Sequence, residues 1–267
     1  MLASAISLIL IGGIGKIYLD GKSAFNARAA LAAATETYRF SFQELRRNLI
    51  MAGRGIATSD DSVSAYVGDQ GDRGMRTFPA LDRTPDGIVS GTHHSADNWS
   101  PAPEESSVVA VRYASGPTPC GADNLTMSDG TVTVRFLVNE SGNLNCQVYQ
   151  NGTLYDSQPI ASGVVQMRAL YGVDTDAEPD GVANSYLTAA QVAPLNWMNV
   201  VSIRIGLVVR SGTGYELPLP YRPQTAEELD LLGAIFTAPD TDYFYKSANT
   251  TISLRNLHHM DRQFAEE

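Results

Sequence analysis

From Met1 to Gly15 the chain reads MLASAISLILIGGIG, with neither charge nor proline. Its large apolar residues, Leu2, Ile6, Leu8, Ile9, Leu10, Ile11 and Ile14, fall all around a helix rather than on one face. That distribution suits lipid or the interior of a helical assembly better than the edge of a soluble core. Fifteen helical residues cover about 22 Å, short of the roughly 30 Å of a bilayer's hydrocarbon. The run is followed by IYLDGKSAFN, which is not the small-residue cleavage site of a secretory signal peptide. The helical pattern continues through Ala52, with no proline and a single glycine, Gly21. Leu31, Tyr38, Phe42, Leu45 and Leu49 recur at intervals of seven, four, three and four, so one face is predicted to pack on a body. Arg39, Glu44, Arg46 and Arg47 fall mostly off that face, and Gly53 and Gly55 supply a stop. The predicted object is one helix of about 50 residues, about 75 Å long. Residues 1–23 form its membrane or filament-core part and 24–55 the part packed on the body. An ordinary core helix is the plainer alternative, but such helices average three to four turns.

After Gly55 the pattern changes. Residues 56–105, rich in Asp, Ser, Gly and Pro, read as a long connecting region with weak strands. From 106 to 267 strand patterns dominate: 106–114, 131–139, 143–150, 164–173, 199–211 and 250–256 are alternating or β-branched. Across 201–209, Val201, Ile203, Ile205, Leu207 and Val209 point one way, with Ser202 and Arg204 opposed, which predicts one buried face. The NESGN turn at 139–143 and the SDG at 128–130 favour antiparallel pairing. Short helices are predicted at Thr188–Val192 and at Thr225–Leu232, where Thr225 and Glu228 form a capping box. The fold class is therefore α+β, a long N-terminal helix packed on an antiparallel sheet.

Charge divides the chain the same way. Residues 1–56 hold seven Lys/Arg and three acids, so a basic stem precedes a body in which acids outnumber bases 26 to 12. A net charge of −10 argues against a nucleic-acid partner. The two cysteines, Cys120 and Cys146, suit a single disulfide in an oxidising compartment, although two buried thiols would read identically. A bridge would close a loop of about 27 residues, worth roughly 3–4 kcal/mol in the chain-entropy picture.

Candidate chemistry is sparse. Asp174, Asp176, Glu178 and Asp180 set four carboxylates at alternate positions, a spacing that suits Ca²⁺ or, equally, a solvated acidic turn. Pro179 stands where an EF-hand has its glycine, and Ser185 where it has its bidentate acid. The tandem pairs His93–His94 and His258–His259 point apart within each pair and read as surface residues. No HExxH, GxSxG, P-loop or GxGxxG occurs, so no catalytic residue is proposed.

Three stretches carry a family resemblance: the helix ending in YRFSFQELRRNLIMAGRG; LYGVDTDAEPDGVANSYLTAAQV followed by VVSIRIGLVVRS; and TTISLRN preceded by YFYKS. In these the chain resembles the minor pilins of type IV pili, of the PilW type, which are similar to pseudopilins of type II secretion. The resemblance implies a pilin-like fold and a structural, non-enzymatic subunit that primes or caps a filament. Implied partners are other minor pilins, the major pilin, the inner membrane and a tip adhesin. The implied location is the inner membrane with a periplasmic body, then the filament or its tip on the cell surface. It further implies a cleaved leader, and about six mature residues ahead of Met1 that would extend the apolar run to about 21, a spanning length. The competing readings are a secretion pseudopilin, a membrane-tethered adhesin or binding module, and, more distantly, a periplasmic hydrolase.

Overall fold

In the computed structural model the described residues are 2–52, 54, 106–113, 116–122, 125, 132–150, 153–177, 180–192 and 200–254. For 2–9, Arg112, Thr153 and Ala190 the backbone alone is described. The 56–105 region, the four histidines and the SDG turn lie outside these residues.

The stem is one unbroken helix, α1 (Leu2–Leu49), 48 residues and about 72 Å long. It tightens as it ends: Met51 N–H donates to Asn48 O and Ala52 N–H to Leu49 O, bonds spanning three residues rather than four. Among the residues with described side chains, no helix is long and apolar enough to cross a membrane. Leu2, Ile6, Leu8 and Ile9, half of the apolar run, lie outside that set, whereas Leu10, Ile11 and Ile14 are 60–70% exposed.

Among the described residues the body holds two four-stranded antiparallel sheets rather than the single sheet predicted. The first is a meander of β1 (Val109–Tyr113), β2 (Val132–Val138), β3 (Asn143–Gln150) and β4 (Thr153–Ser162) in that order. In the second, β5 (Val164–Val173) and β7 (Val200–Arg210) are flanked by β6 (Ser185–Leu187) and β10 (Tyr245–Ser253), giving the order β10-β7-β5-β6. A short helix, α2 (Ala189–Val192), follows β6 where one was predicted. Val134, Phe136, Leu144 and Val148 from the first sheet and Met167, Ile203, Ile205 and Leu207 from the second fill one core with Leu45 and Leu49 of α1.

Two devices join the sheets. Gly163, at φ +85°, is the one residue between β4 and β5. Its N–H donates to Gly142 O at 2.8 Å and its carbonyl accepts from Arg210 N–H at 2.7 Å. At the other side, the chain entering β1 bonds the edge of β5. Ser107 N–H donates to Met167 O, while the Ser106 and Ser107 hydroxyls accept from the N–H groups of Met167 and Ala169. Buried backbone groups that no strand pairs are thus satisfied by serines.

Three sequence expectations need correction. The helix predicted at Thr225–Leu232 is instead β8 (Glu228–Leu231), paired with β9 (Ala234–Thr237). The capping-box spacing was present, but Leu229 and Leu231 alternate, and Leu232–Gly233, both at positive φ, form a tight turn. The hairpin also overturns the one-sided reading of β7: Val208 is fully buried in a second small core with Leu231, Ala238 and Tyr245. Gly206 lies under the hairpin, where a Cβ would stand 2.8 Å from Leu231 Cδ1. Finally, the last strand runs Tyr245–Ser253 rather than 250–256. The excursion from β7 to β10 has a closed neck, Ser211 N–H donating to Phe244 O at 2.9 Å.

Candidate functional site

With no catalytic constellation predicted, the features to place are the two sides of α1, the disulfide and the acidic turn. The body-facing side of α1 is built from Ala30, Ala34, Ser41, Phe42, Leu45, Asn48, Leu49 and Ala52, all buried. Their spacings of three, four and seven are those of one helical face. Small residues at 30, 34 and 41 let the helix lie close to the sheets, where it touches β4, β7 and β10. The buried polar groups are satisfied within the helix: Ser41 Oγ donates to Thr37 O and Asn48 Nδ2 to Glu44 O, each at 2.8 Å. Tyr38 is half-buried, its ring edge-on to Phe42 with centroids 5.6 Å apart and Lys246 Nζ of β10 at 5.1 Å.

Of the five helix–sheet residues predicted, Phe42, Leu45 and Leu49 are buried and Tyr38 is partly so. Leu31 is not: it is 45% exposed. It sits at the edge of the contacting face, and near the top of the body the helix is held through Ala30 and Ala34 instead. The sequence reading weighed large side chains and passed over alanine and serine at the same spacing, the signal that would have located the closest contact. The opposite side of α1 is bare: Phe25 is 71% and Phe40 47% exposed, beside exposed Arg28, Arg39 and Arg46.

Cys120 and Cys146 form a disulfide with Cα atoms 6.4 Å apart. It ties the 3-10 turn Pro119–Gly121, between β1 and β2, to the buried face of β3. Gln158 Nε2 of β4 adds a hydrogen bond to Cys120 O at 2.6 Å.

The acidic turn follows β5. Asp174 is buried, and its carboxylate accepts from Asp176 N–H at 3.2 Å and Gly181 N–H at 2.7 Å. Asp180 Oδ1 accepts from Val182 N–H, while Asn184 donates to Asp176 Oδ2 and accepts from Thr175 N–H. Carboxylate oxygens of Asp174, Asp176 and Asp180 lie within 4.8 Å of one another, so three of the four predicted acids converge. Glu178 lies outside the described residues. Oxygen ligands at this separation suit a hard cation, and the same groups also fold the turn by their own hydrogen bonds.

Burial shifts two phenols, and backbone hydrogen bonds shift one exposed carboxyl. Burial pushes the Tyr113 and Tyr245 phenols above their ordinary range, and Asp240, which accepts from Tyr245 Oη at 2.9 Å, adds to the effect. The backbone N–H groups of Glu216 itself and of Gly214 hold the Glu216 carboxyl below its usual range.

Residues 128–256, just under half of the chain, match the pattern of the family described as type IV pilus-assembly protein W. The body of this chain is PilW-like. The match spans β2 to β10 and includes two of the three stretches from which the resemblance was read, 170–211 and 250–256. No curated protein matches significantly. Among solved structures, a type IV-like pilin from Thermus thermophilus is 13% identical, with a TM-score of 0.35. That alignment covers 58% of this chain and 82% of the pilin, a remote likeness.

Proposed function

We propose that this chain is a minor pilin, a structural subunit that works with other minor pilins to prime or cap a type IV pilus. The PilW-type match of 128–256 carries the proposal. The stem supports it in physical terms. One side of α1 is committed to the body, and the remainder, apolar at its start and bare beyond, needs an environment a lone soluble subunit does not supply. Passage of the apolar run from bilayer to filament core would exchange one apolar surrounding for another, at little cost in free energy. In this reading the body faces the periplasm before assembly and the cell exterior afterwards. The protein's work is positioning rather than catalysis.

The test combines genetics with capture. A deletion strain is expected to lose most surface pili, and the tagged full chain is expected to retain other pilin-like subunits from detergent extracts. Normal piliation without the gene would refute the priming role. Loss of secretion with pili intact would transfer the assignment to a type II secretion pseudopilin.

A further inference from the structure

The second sheet of the body, β10-β7-β5-β6, is covered on both faces. Its core face carries α1, resting on β7 and β10, with Lys246 of β10 over Tyr38. Its other face carries the β8–β9 hairpin, packed through Leu229, Leu231 and Phe236 onto Val208 and Tyr245. The outer side of α1 and the outer side of the hairpin therefore look in opposite directions from the same strands.

The flank of α1 about a third of a turn round from Leu45 and the outward face of the hairpin have opposite charge. On α1, Arg28, Arg39 and Arg46 recur at intervals of eleven and seven, which sets them on one side of the rod, away from Ala34 and Leu45. All three are exposed, none has an ion-pair partner among the described residues, and Phe25 and Phe40 flank them; Glu36 is the one acid among them. On the hairpin, strand alternation sends Leu229 and Leu231 inward and Glu228 and Asp230 outward. Their cross-strand neighbours, Thr237 and Ile235, are exposed too, Ile235 by 60%. Glu227 adds a third exposed acid beside them.

We propose that these faces form one contact between two copies of this chain, the Arg28–Arg39–Arg46 side of α1 receiving the Glu228–Asp230–Ile235 face of a second copy's hairpin. Because the two faces are different surfaces of the chain, the contact is heterologous, and each pair leaves one face of each kind free for a further copy. Ile235 adds apolar area to the contact, and the carboxylates meet guanidiniums, which donate to them in two parallel bonds. Exposed ion pairs are individually weak and salt-screened, so the contact forms where copies are crowded and dissolves at high ionic strength. The proposal rests on the pilus reading only for that crowded setting.

The test is sedimentation velocity of the full chain in neutral detergent across a salt series. Association is expected to strengthen as NaCl falls from about 500 mM to about 25 mM. The pair Arg39→Glu/Arg46→Glu and the pair Glu228→Lys/Asp230→Lys are each expected to weaken it at least about tenfold, and mixing the two variants should restore it. Unchanged melting temperatures establish that both variants fold. Charge reversal without effect, or failure of the mixture to recover, would overturn the contact. So would an Arg-reversed variant that loses only binding to phosphatidylglycerol vesicles while hairpin reversal is silent, since the basic side would then serve a membrane. A bald deletion strain together with charge-insensitive chains sinks this contact alone, whereas a fully piliated deletion strain sinks the pilus reading alone.

Discussion

Replacing Gly163 by alanine loads the joint between the two sheets. At φ +85° an L residue with a Cβ is strained by roughly 1–2 kcal/mol, and the new Cβ would stand 2.8 Å from Arg210 O, a backbone atom. That carbonyl cannot swing aside as a side chain would, because the N–H of the same residue donates to Gly163 O and the two strands are registered through it. Relieving the overlap shifts backbone, which costs typically 1–3 kcal/mol. Against this, alanine restricts the unfolded chain and recovers about 0.4–1 kcal/mol. The net expectation is a destabilisation of about 2–4 kcal/mol. For a body of this size that lowers Tm by roughly 5–15 °C, at 2–4 °C per kcal/mol. The measurement is thermal and urea unfolding followed by circular dichroism. The comparison that isolates the contact is Gly214→Ala, at φ +88° with no atom within 4 Å of its Cβ. It carries the conformational cost alone, about 1 kcal/mol after the same offset. If Gly163→Ala falls no further than Gly214→Ala, the close approach to Arg210 is not what holds the corner.

Three further expectations follow from the packing and the charges. Leu45→Ala removes a fully buried side chain and should cost about 2–5 kcal/mol, whereas Leu31→Ala, at an exposed position, should stay within about 0.5 kcal/mol; equal losses in urea titrations would contradict the helix register. Tyr245 has its phenol pKa raised by burial, so the folded state holds that proton more tightly than the unfolded chain. Its stabilisation is complete below the unfolded value near 10 and is lost as pH rises above it. Tm should therefore fall between about pH 9.5 and 11, less steeply in Tyr245→Phe, and an unchanged slope would exonerate this group. Calcium titration tests the turn at Asp174, Asp176 and Asp180: expected is a Tm rise reversed by EGTA and absent in Asp176→Ala. No shift would leave a turn held by its own hydrogen bonds.

The rod, the class of fold and most strands were legible because their signals are local. The seven-and-four spacing of Tyr38, Leu45 and Leu49 and alternation along Val201–Val209 are properties of single segments. What escaped was relational. Leu31 obeys the periodicity, but its exposure depends on which side of the helix the body meets, and there the contact runs through the fully buried Ala30 and Ala34. The Thr225–Glu228 pair satisfies a helix-start rule, but Leu231 gains more against Val208, which lies 23 residues away in sequence, than a helix of about two turns would supply. Strand β4 is largely polar and contains Pro159, and it is absent from the predicted strands; at a sheet edge those features are tolerated. The converging acids were visible as spacing, whereas Asn184, which braces them from nine residues beyond Thr175, was not.

The neck at Ser211 and Phe244 has a bearing on how this body can vary. Strands β7 and β10 pair continuously from Tyr245–Arg210 to Ser253–Ser202, and the neck fixes that register before the intervening segment begins. Everything beyond it is a cassette: lengthening a closed loop adds little entropic cost, about 0.6 kcal/mol per doubling. Relatives of this chain can thus exchange residues 212–243 for other sequences while the supporting strands stay in place, provided each replacement still roofs Gly206 and Val208. What residues 212–243 present to the surroundings is separated, by one hydrogen-bonded gate, from the frame that lets the chain fold.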